Sequence, residues 1–300
     1  MVLTHRVRLL ALCTLARAAS GVRSVLVTGA NKGIGRAIVQ KIVEDYDDVH
    51  VFLGCRSAQR GEEAAAAIAS AVPGCADRLS VLPLDVADDT SVAAAAAAVG
   101  ARDELLPLHG ILNNAGIGFG KGFDATLETN FYGARRVCDA FEPLLQPDGG
   151  RIVNVASASG PIYVAGLDDD ASKKVLTSPG VGLDELDSYA KKFCGATDYE
   201  NSAYGLSKAC LNAYTRILAS QKPKLLVNSV TPGYILTDLT RGMGATNPPE
   251  KGTTAPVYCL FEATSTGWYY GSDGVRSPLH FMRNPGEPAY DGVVPPEVLA

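Results

Sequence analysis

The strongest constraint on this chain is a regular alternation of short apolar segments with segments of helical periodicity. Residues 22–29, VRSVLVTG, form a β-branched run that stops at a glycine, and residues 34–45 follow with apolar side chains near helical spacing. Further strands are predicted at residues 49–55, 78–86, 108–116, 150–157, 224–233 and 268–271. Further helices are predicted at residues 61–72, 91–100, 127–145, 202–220 and 253–263. This alternation predicts a parallel sheet with helices on both faces, a doubly wound α/β fold.

The ends of the predicted strands are where function is expected. In doubly wound folds, ligands bind beyond the carboxyl ends of the strands. Those ends carry the segments TGANKGIG (28–35), GCRS (54–57), LDV (84–86), NNAG (113–116), ASASG (156–160) and TPGYILTD (231–238). We therefore expect one ligand-binding edge built from these segments.

The first of these segments is a glycine-rich turn. It lies directly after the first strand and opens an apolar helix, which is the context that a dinucleotide-binding turn requires. Gly29, Gly33 and Gly35 allow a tight turn and a close approach to a pyrophosphate, whose charge the helix N-terminus stabilises. The turn predicts a nucleotide cofactor, and its spacing differs from the common G-x-G-x-x-G.

Composition limits the remaining possibilities. With 300 residues, 47% of them apolar, the chain can form one large core or at most two modest domains. The net charge of −5 gives no electrostatic reason to expect binding to nucleic acid or to an anionic membrane. The seven cysteines are odd in number and scattered, and the four histidines lie far apart. Neither a disulfide framework nor a metal site is expected.

Residues 1–22 form a distinct N-terminal segment. Arg6, Arg8 and Arg17 occur there with no acidic residue, and the apolar run at residues 9–16 is too short to span a bilayer. This basic and apolar composition resembles a signal or transit peptide, and it fits equally an extension that carries no signal. A reducing, cytoplasmic location is expected, and targeting to an organelle or to the secretory pathway by residues 1–22 is the alternative.

Three motifs together resemble one family. T-G-x-x-x-G-I-G at residues 28–35, N-N-A-G at residues 113–116 and Y-x-x-x-K at residues 204–208 occur in that order. The chain is similar to the short-chain dehydrogenase/reductase family in these motifs and in their placement on strands and helices. The resemblance implies a Rossmann-type sheet of about seven strands, in the order 3-2-1-4-5-6-7, within a single catalytic domain at residues 23–300.

The family's catalytic residues have counterparts in this sequence. The resemblance implies that Tyr204 is the general acid and that Lys208 lowers its pKa. It also implies that Ser157, with Ser159 as the fallback, binds the developing oxyanion and that Asn130 holds a relay water. Tyrosine has a reference pKa of about 10, and lowering it by about three units takes roughly 4 kcal/mol. A cation at i+4 on the same helix face, together with an oxidised nicotinamide ring, is placed to supply that energy.

Charge at the end of the second predicted strand favours NADPH over NADH. NAD-preferring members of the family have an acidic residue there, whereas this chain has Gly54 followed by Arg56 and Arg60. A guanidinium group suits a 2′-phosphate, and Lys32 adds a second cation. The predicted cofactor-binding residues are Gly29, Asn31, Lys32, Gly33, Ile34, Gly35, Arg56, Arg60, Asp85, Val86, Asn114, Ala115, Gly116, Tyr204, Lys208, Pro232, Gly233 and Thr237.

The segment between the catalytic serine and tyrosine is longer than in most members of the family. Residues 160–202 form this insertion, and residues 183–195 within it are predicted to form an amphipathic helix. Such an insertion resembles the monomeric NADPH-dependent carbonyl reductases, in which the inserted helix covers the surface that other members use to dimerise. The resemblance implies a monomer. A disordered surface loop is the alternative, because LDDDASKK is strongly polar.

These features predict an NADPH-dependent reductase that transfers a hydride to the carbonyl of a small ketone, aldehyde or quinone. Candidate walls of an apolar substrate pocket are Ile162, Tyr163, Tyr234, Ile235 and Met243. The alternatives are an NADP-dependent secondary-alcohol dehydrogenase that works oxidatively and a non-catalytic NADPH-binding scaffold protein. The irregular tail at residues 280–300, rich in proline and glycine, matches no feature of the family.

Overall fold

The computed structural model of the protein describes residues 21–198 and 202–292. The N-terminal segment of residues 1–22, with its two alternative interpretations, lies outside the described residues apart from its last two. The irregular C-terminal tail is described as far as residue 292.

The described residues form a twisted sheet of eight strands. The strands are β1 Arg23–Thr28, β2 Val49–Cys55, β3 Leu79–Pro83, β4 Gly110–Asn113, β5 Arg151–Val155, β6 Leu226–Val230, β7 Tyr269–Tyr270 and β8 Arg276–Ser277. Their order is β3-β2-β1-β4-β5-β6-β7-β8, and every pair is parallel except β7 with β8. The order reverses between β1 and β4, which is the place where doubly wound sheets bind ligands.

Helices connect the strands on both faces of this sheet. They are α1 Gly33–Asp45, α2 Ala58–Ala71, α3 Asp89–Gly100, α4 Gly122–Leu127, α5 Gly133–Phe141, α6 Ser159–Ala165, α7 Asp170–Thr177, α8 Leu183–Lys191, α9 Ala203–Gln221 and α10 Thr254–Phe261. The single helix predicted at residues 127–145 is therefore divided. A π-helical turn, Glu128–Tyr132, joins α4 to α5.

The alternation of side chains along the strands builds two cores. In β1, Val25 and Val27 face one side of the sheet, where α1, α2 and α10 contribute the apolar side chains. Leu26 faces the other side, where α3, α5, α8 and α9 pack. Because both faces are covered, β1 and β2 are buried almost throughout, as their continuous apolar sequences predict.

The insertion before Tyr204 is helical and packs on the body of the protein. The predicted amphipathic helix corresponds to α8, in which Leu186, Tyr189 and Ala190 are buried. Asp187 of α8 accepts two hydrogen bonds from one nitrogen of Arg135 on α5, at 2.7 and 2.9 Å. The short helices α6 and α7 were not predicted, because each is too brief to show a helical period in the sequence.

The sheet has one strand more than the seven that were predicted. After β7 the chain turns at Gly271, whose backbone N–H donates to Val275 at 2.8 Å, and β8 returns antiparallel. Strands of two residues give no alternation of apolar and polar residues, so this hairpin could not be seen in the sequence.

No helix in the part of the chain that the structure describes is long and apolar enough to cross a bilayer.

Candidate active site

Tyr204 and Lys208 lie one turn apart at the start of α9. The carboxylate of Asp198 accepts the backbone N–H groups of Ser202 (2.7 Å) and Ala203 (3.2 Å), which the helix itself leaves without partners. Tyr204 is 8% exposed and Lys208 is 4% exposed. The Nζ atom of Lys208 lies 5.7 Å from the centroid of the Tyr204 ring, so the two residues share one helix face as predicted.

The ammonium group of Lys208 is buried and bound to the backbone. Nζ donates to the carbonyl oxygen of Val155, the last residue of β5, at 2.8 Å. Burial lowers the pKa of Lys208 to about 8, because the charged form loses its hydration. This ammonium therefore gives up its proton more readily near neutral pH than an ordinary lysine does.

The pKa of Tyr204 is set by burial and by Ser157 within the protein chain itself. Burial raises this pKa, and the Ser157 hydroxyl offsets only part of the rise. The lowering predicted from the sequence combines the charge of Lys208 with that of an oxidised nicotinamide ring and stays a prediction. In the folded chain, however, the ammonium lies over the ring and donates to Val155, so desolvation of the phenolate dominates. Tyr204 consequently keeps its proton at neutral pH.

Ser157 follows β5 at the carboxyl edge of the sheet and is half-buried. Its hydroxyl is close enough to lower the pKa of Tyr204, lies 3.3 Å from Oγ of Ser159 and accepts the backbone N–H of Ser159 at 3.2 Å. These contacts put Ser157 next to the tyrosine. Ser159, the fallback candidate, supports Ser157 through its backbone.

Asn130 lies in the π-helical turn Glu128–Tyr132 and is almost fully buried. Its Oδ1 accepts the N–H of Ile117 at 2.8 Å, while Nδ2 donates to the carbonyl of Ile117 and to Oγ of Ser207, each at 3.0 Å. Ser207 in turn donates to the carbonyl oxygen of Tyr204 at 2.8 Å. Asn130 thus joins the loop after β4 to α9, and the relay water predicted at this residue stays a prediction.

A cavity of about 970 Å³ opens at the carboxyl edge of the sheet and includes Tyr204 and Lys208 in its wall. The predicted cofactor-binding residues that line it are Gly29, Asn31, Lys32, Gly33, Ile34, Gly35, Arg56, Asp85, Val86, Asn114, Ala115, Gly116, Tyr204, Lys208, Pro232 and Thr237. These residues come from the ends of five strands and from α9, and Val155 and Ala156 at the end of β5 also line the cavity.

The glycine-rich turn forms the floor of this cavity and tolerates no side chain at two positions. Gly29 has a φ of +67°, and a Cβ there would lie 2.9 Å from Cα of Ala115. A Cβ on Gly35 would lie 2.3 Å from the carbonyl oxygen of Gly29. The N-terminus of α1 has no side-chain cap and no acidic residue in its first turn. These features fit the pyrophosphate of a dinucleotide.

Charged side chains stand at the end of β2 and above the glycine turn. Arg56 is exposed and lines the cavity. Lys32 lines it too, and its Nζ pairs with Asp238 at 2.7 Å. Asp85 lies further along the wall, where its carboxylate accepts the backbone N–H of Ala87 at 3.1 Å. Arg56 after β2 and Lys32 in the glycine turn thus bring positive charge to one cavity, as a phosphate group requires.

Four of the predicted catalytic and cofactor-binding residues do not line the cavity, and of the five candidate walls of the substrate pocket only Met243 does. Ser157 and Asn130 lie behind its wall, where Ser157 acts on the pKa of Tyr204 and Asn130 hydrogen-bonds to Ile117. Arg60 is exposed in the first turn of α2, which carries it away from the end of β2. Gly233 has a φ of +90° and packs against the loop after β7.

Asn114 is part of the framework of the site. Its Nδ2 donates to the carbonyl oxygens of Thr28 (2.9 Å) and Gly29 (3.3 Å), and its backbone N–H donates to Oγ1 of Thr28 at 3.0 Å. The N–H of Ala115 donates to the same hydroxyl at 3.0 Å. These bonds tie the loop after β4 to the glycine turn.

Sequence reasoning missed several residues that complete the site. Val155, Ile117 and Ser207 are partners of the catalytic candidates, and backbone or serine partners carry no sequence signal of their own. Phe119 packs on Tyr204, with ring centroids 4.6 Å apart. Its position just after N-N-A-G, at a strand end, was a signal that could have singled it out.

The arrangement can move a proton to an oxygen atom placed beside the tyrosine. A protonated phenol, a hydroxyl in contact with it and a low-pKa ammonium meet at the wall of a cavity that suits a dinucleotide. Such a group is suited to general acid catalysis on a carbonyl.

Comparison with known proteins gives a consistent result. The family described as short chain dehydrogenase matches residues 23–174. Carbonyl reductase (NADPH) 3 of Mus musculus is 34% identical over 258 residues, which cover 79% of this chain and 90% of that protein. The (+)-neomenthol dehydrogenase of Arabidopsis thaliana is 32% identical over 273 residues, covering 78% and 90% of the two chains.

Solved structures share the same fold. Salutaridine reductase from Papaver somniferum superposes with a TM-score of 0.72 at 26% sequence identity, covering 83% of this chain and 99% of that one.

Proposed function

This chain belongs to the short-chain dehydrogenase/reductase family, close to the carbonyl reductases, and we propose that it reduces the carbonyl of a small ketone, aldehyde or quinone. The observation that carries the proposal is the meeting of Tyr204 and Lys208 with the glycine-rich turn in the wall of one cavity. The chain is an enzyme, so the alternative of a non-catalytic scaffold is set aside.

The cofactor is NADPH, as the name of the mouse relative specifies for that protein. When bound, it supplies the hydride. The bare backbone of the glycine turn at Gly29 and Gly35 would hold its pyrophosphate, and Arg56 with Lys32 would hold its 2′-phosphate. The carboxylate of Asp85 would accept a hydrogen bond from the amino group of the adenine.

Tyr204 is proposed to give the substrate oxygen its proton. Because burial raises its pKa, the phenol stays protonated at neutral pH, so donation of its proton requires that the phenolate be stabilised as it forms. Lys208, with a pKa of about 8, holds a positive charge beside that phenolate. Ser157, whose hydroxyl lowers the pKa of Tyr204, orients the substrate oxygen and stabilises its developing negative charge. Tyr204 and Lys208 are buried on α9, and Ser157 is half-buried just after β5.

The reverse reaction is the second candidate function. The Arabidopsis relative is named a dehydrogenase, and a site that protonates an alkoxide can also deprotonate a secondary alcohol. The direction of the reaction is decided by the relative rates with NADPH and with NADP+.

A screen of cofactor oxidation tests the proposed function. The absorbance of NADPH is followed with panels of ketones, aldehydes and quinones, and the reverse reaction is followed with secondary alcohols and NADP+. We expect turnover of at least one carbonyl class, with NADPH preferred over NADH. Tight binding of NADPH without turnover of any carbonyl or alcohol would contradict the proposal.

A monomer is proposed on the basis of the insertion. Helix α8 packs on the core of α5 and α9, and the ion pair of Asp187 with Arg135 holds it there. The inserted helix then covers the face that related enzymes use to dimerise. Light scattering after size exclusion should give the mass of one chain, and a stable dimer or tetramer would contradict this.

A cytoplasmic location is proposed from the state of the cysteines. The six in the described part of the chain are free thiols, five of them buried, as in proteins of reducing compartments. Fluorescent fusions with and without residues 1–22 test this: both should be diffuse in the cytoplasm, whereas organelle staining that needs residues 1–22 would show that they are a targeting signal.

A further inference from the structure

Exposed apolar side chains gather around the active-site cavity. Among the described residues, Phe119 (36% exposed), Leu236 (46%) and Met243 (46%) are large, apolar, exposed and part of its wall. Large apolar side chains on a protein surface mark a binding site when they cluster around a cleft. These three apolar side chains contrast with the polar end of the cavity, where the glycine turn and the cations lie.

Phe119 covers the proton donor itself. Its ring centroid lies 4.6 Å from that of Tyr204, with the ring planes inclined at 46°. Tyr204 is buried while Phe119 is more than a third exposed, so one part of the Phe119 ring shields the phenol and the rest faces the cavity. A substrate placed beside Tyr204 in this cavity therefore lies close to this aromatic ring.

The neighbours of Phe119 hold its loop in place. Ile117 is bound through both its N–H and its carbonyl by Asn130. Gly118 packs against Leu239, because a Cβ on this glycine would lie 2.6 Å from Cγ of Leu239. The loop after β4 thus touches the loop after β6, and Phe119 is part of a formed wall.

We propose that Phe119 determines the substrate specificity of the enzyme and makes it select neutral, apolar, ring-shaped ketones over linear ones. This inference rests on the proposed function. A ring ketone places a rigid apolar face against Phe119, with Leu236 and Met243 at the rim, while its carbonyl reaches Tyr204 and Ser157. A linear ketone of equal carbon number loses more rotational freedom on entering the same space.

A charged substrate would meet ionised side chains in the wall of this cavity. Lys32 and Arg241 share the carboxylate of Asp238, at 2.7 and 3.0 Å. Lys121 lies at the rim two residues beyond Phe119 and could attract a carboxylate. A carboxylated ring ketone is therefore a necessary arm of the test.

The test compares kcat/KM for 4-tert-butylcyclohexanone with that for 2-decanone, which has the same number of carbon atoms. In the wild type we expect the ring ketone to be preferred by about tenfold or more. Phe119→Ala should lower the ratio of the two values by about tenfold, and Phe119→Leu, which keeps an apolar side chain without a ring, should lower it in the same direction. Met282→Ala removes an exposed methionine that does not line the cavity and should leave the ratio unchanged.

Each other result counts against the inference in a distinguishable way. If Phe119→Ala lowers kcat/KM equally for the ring ketone and the linear ketone, Phe119 has only a structural role and the inference is wrong. If 4-oxocyclohexanecarboxylate is preferred over the neutral ring ketone, the site selects acidic ketones and the inference is wrong. If the wild type reduces linear and ring ketones equally well, the inference fails while the proposed function stands. Failure to reduce any carbonyl defeats the proposed function, and the inference with it.

Discussion

Replacing the buried lysine should change how the stability of the protein depends on pH. Lys208 has a pKa of about 8 in the folded chain, against an ordinary value of 10.5, because burial disfavours its charge. At about 1.4 kcal/mol per pKa unit, burying the ammonium costs about 3 kcal/mol of folding free energy at neutral pH. The unfolded chain binds the additional proton between pH 8 and pH 10.5, so this cost is removed as the pH rises through that window.

The substitution that isolates this effect is Lys208→Met, which keeps a long unbranched side chain, one atom shorter than that of lysine, and removes its charge. Free energies of unfolding are measured by urea titration of both proteins at intervals from pH 7 to pH 10. Relative to the variant, the wild type should gain about 2 kcal/mol over that range. The other titrating groups are common to both proteins and cancel in the difference.

An exposed lysine provides the matched control. Lys224→Met removes a charge at the surface, where no burial cost exists, so its difference from the wild type should stay level across the same range. A level difference for Lys208→Met as well would refute the reasoning. It would mean that water reaches the ammonium in the folded chain, and the low pKa assigned to it would be wrong.

Further predictions concern the cofactor site and acid stability. Gly35→Ala places a Cβ 2.3 Å from the carbonyl oxygen of Gly29, so the Kd for NADPH, measured by fluorescence, should rise at least about tenfold. Gly180 has open space around it, so the control variant Gly180→Ala should leave the Kd for NADPH unchanged. Arg56→Ala should lower the preference for NADPH over NADH about tenfold, whereas Arg60→Ala should not, and an equal effect of the two would contradict the cavity assignment. Burial lowers the pKa of His109 to about 4 from the usual 6.5, so its contribution to the free energy of unfolding is full above pH 6.5 and is lost as the pH falls toward 4. In His109→Gln, the free energy of unfolding measured by urea titration should therefore fall less between pH 6.5 and pH 4. An unchanged dependence on pH would contradict this.

The overall architecture was predictable because parallel strands that are buried on both faces leave a direct mark on the sequence. The centres of β1 and β2 are apolar, at residues 25–27 and 51–53, and each strand is followed by a glycine-rich or arginine-bearing end. What could not be predicted is short or irregular. The hairpin of β7 and β8 has two residues in each strand, and the π-helical turn that carries Asn130 contains no glycine or proline that would mark a break between α4 and α5.

The site was predictable where it depends on local spacing. Tyr204 and Lys208 share a helix face because they are four residues apart, and no tertiary information is needed to see it. The effect of burial on the pKa of Tyr204 was not predictable, because desolvation depends on everything that packs around the ring. Phe119, which covers that ring, and Val155, which takes the lysine's hydrogen bond, come from other parts of the chain.

The most direct test of the central claim, that Tyr204 delivers the proton during carbonyl reduction, is a single-turnover measurement. Enzyme saturated with NADPH is mixed with excess ketone, and cofactor oxidation is followed in the wild type and in Tyr204→Phe, after the Kd for NADPH has been measured for both. The account predicts a rate at least about a hundredfold lower in Tyr204→Phe with a Kd that stays within about twofold. Equal rates in the two proteins would contradict it.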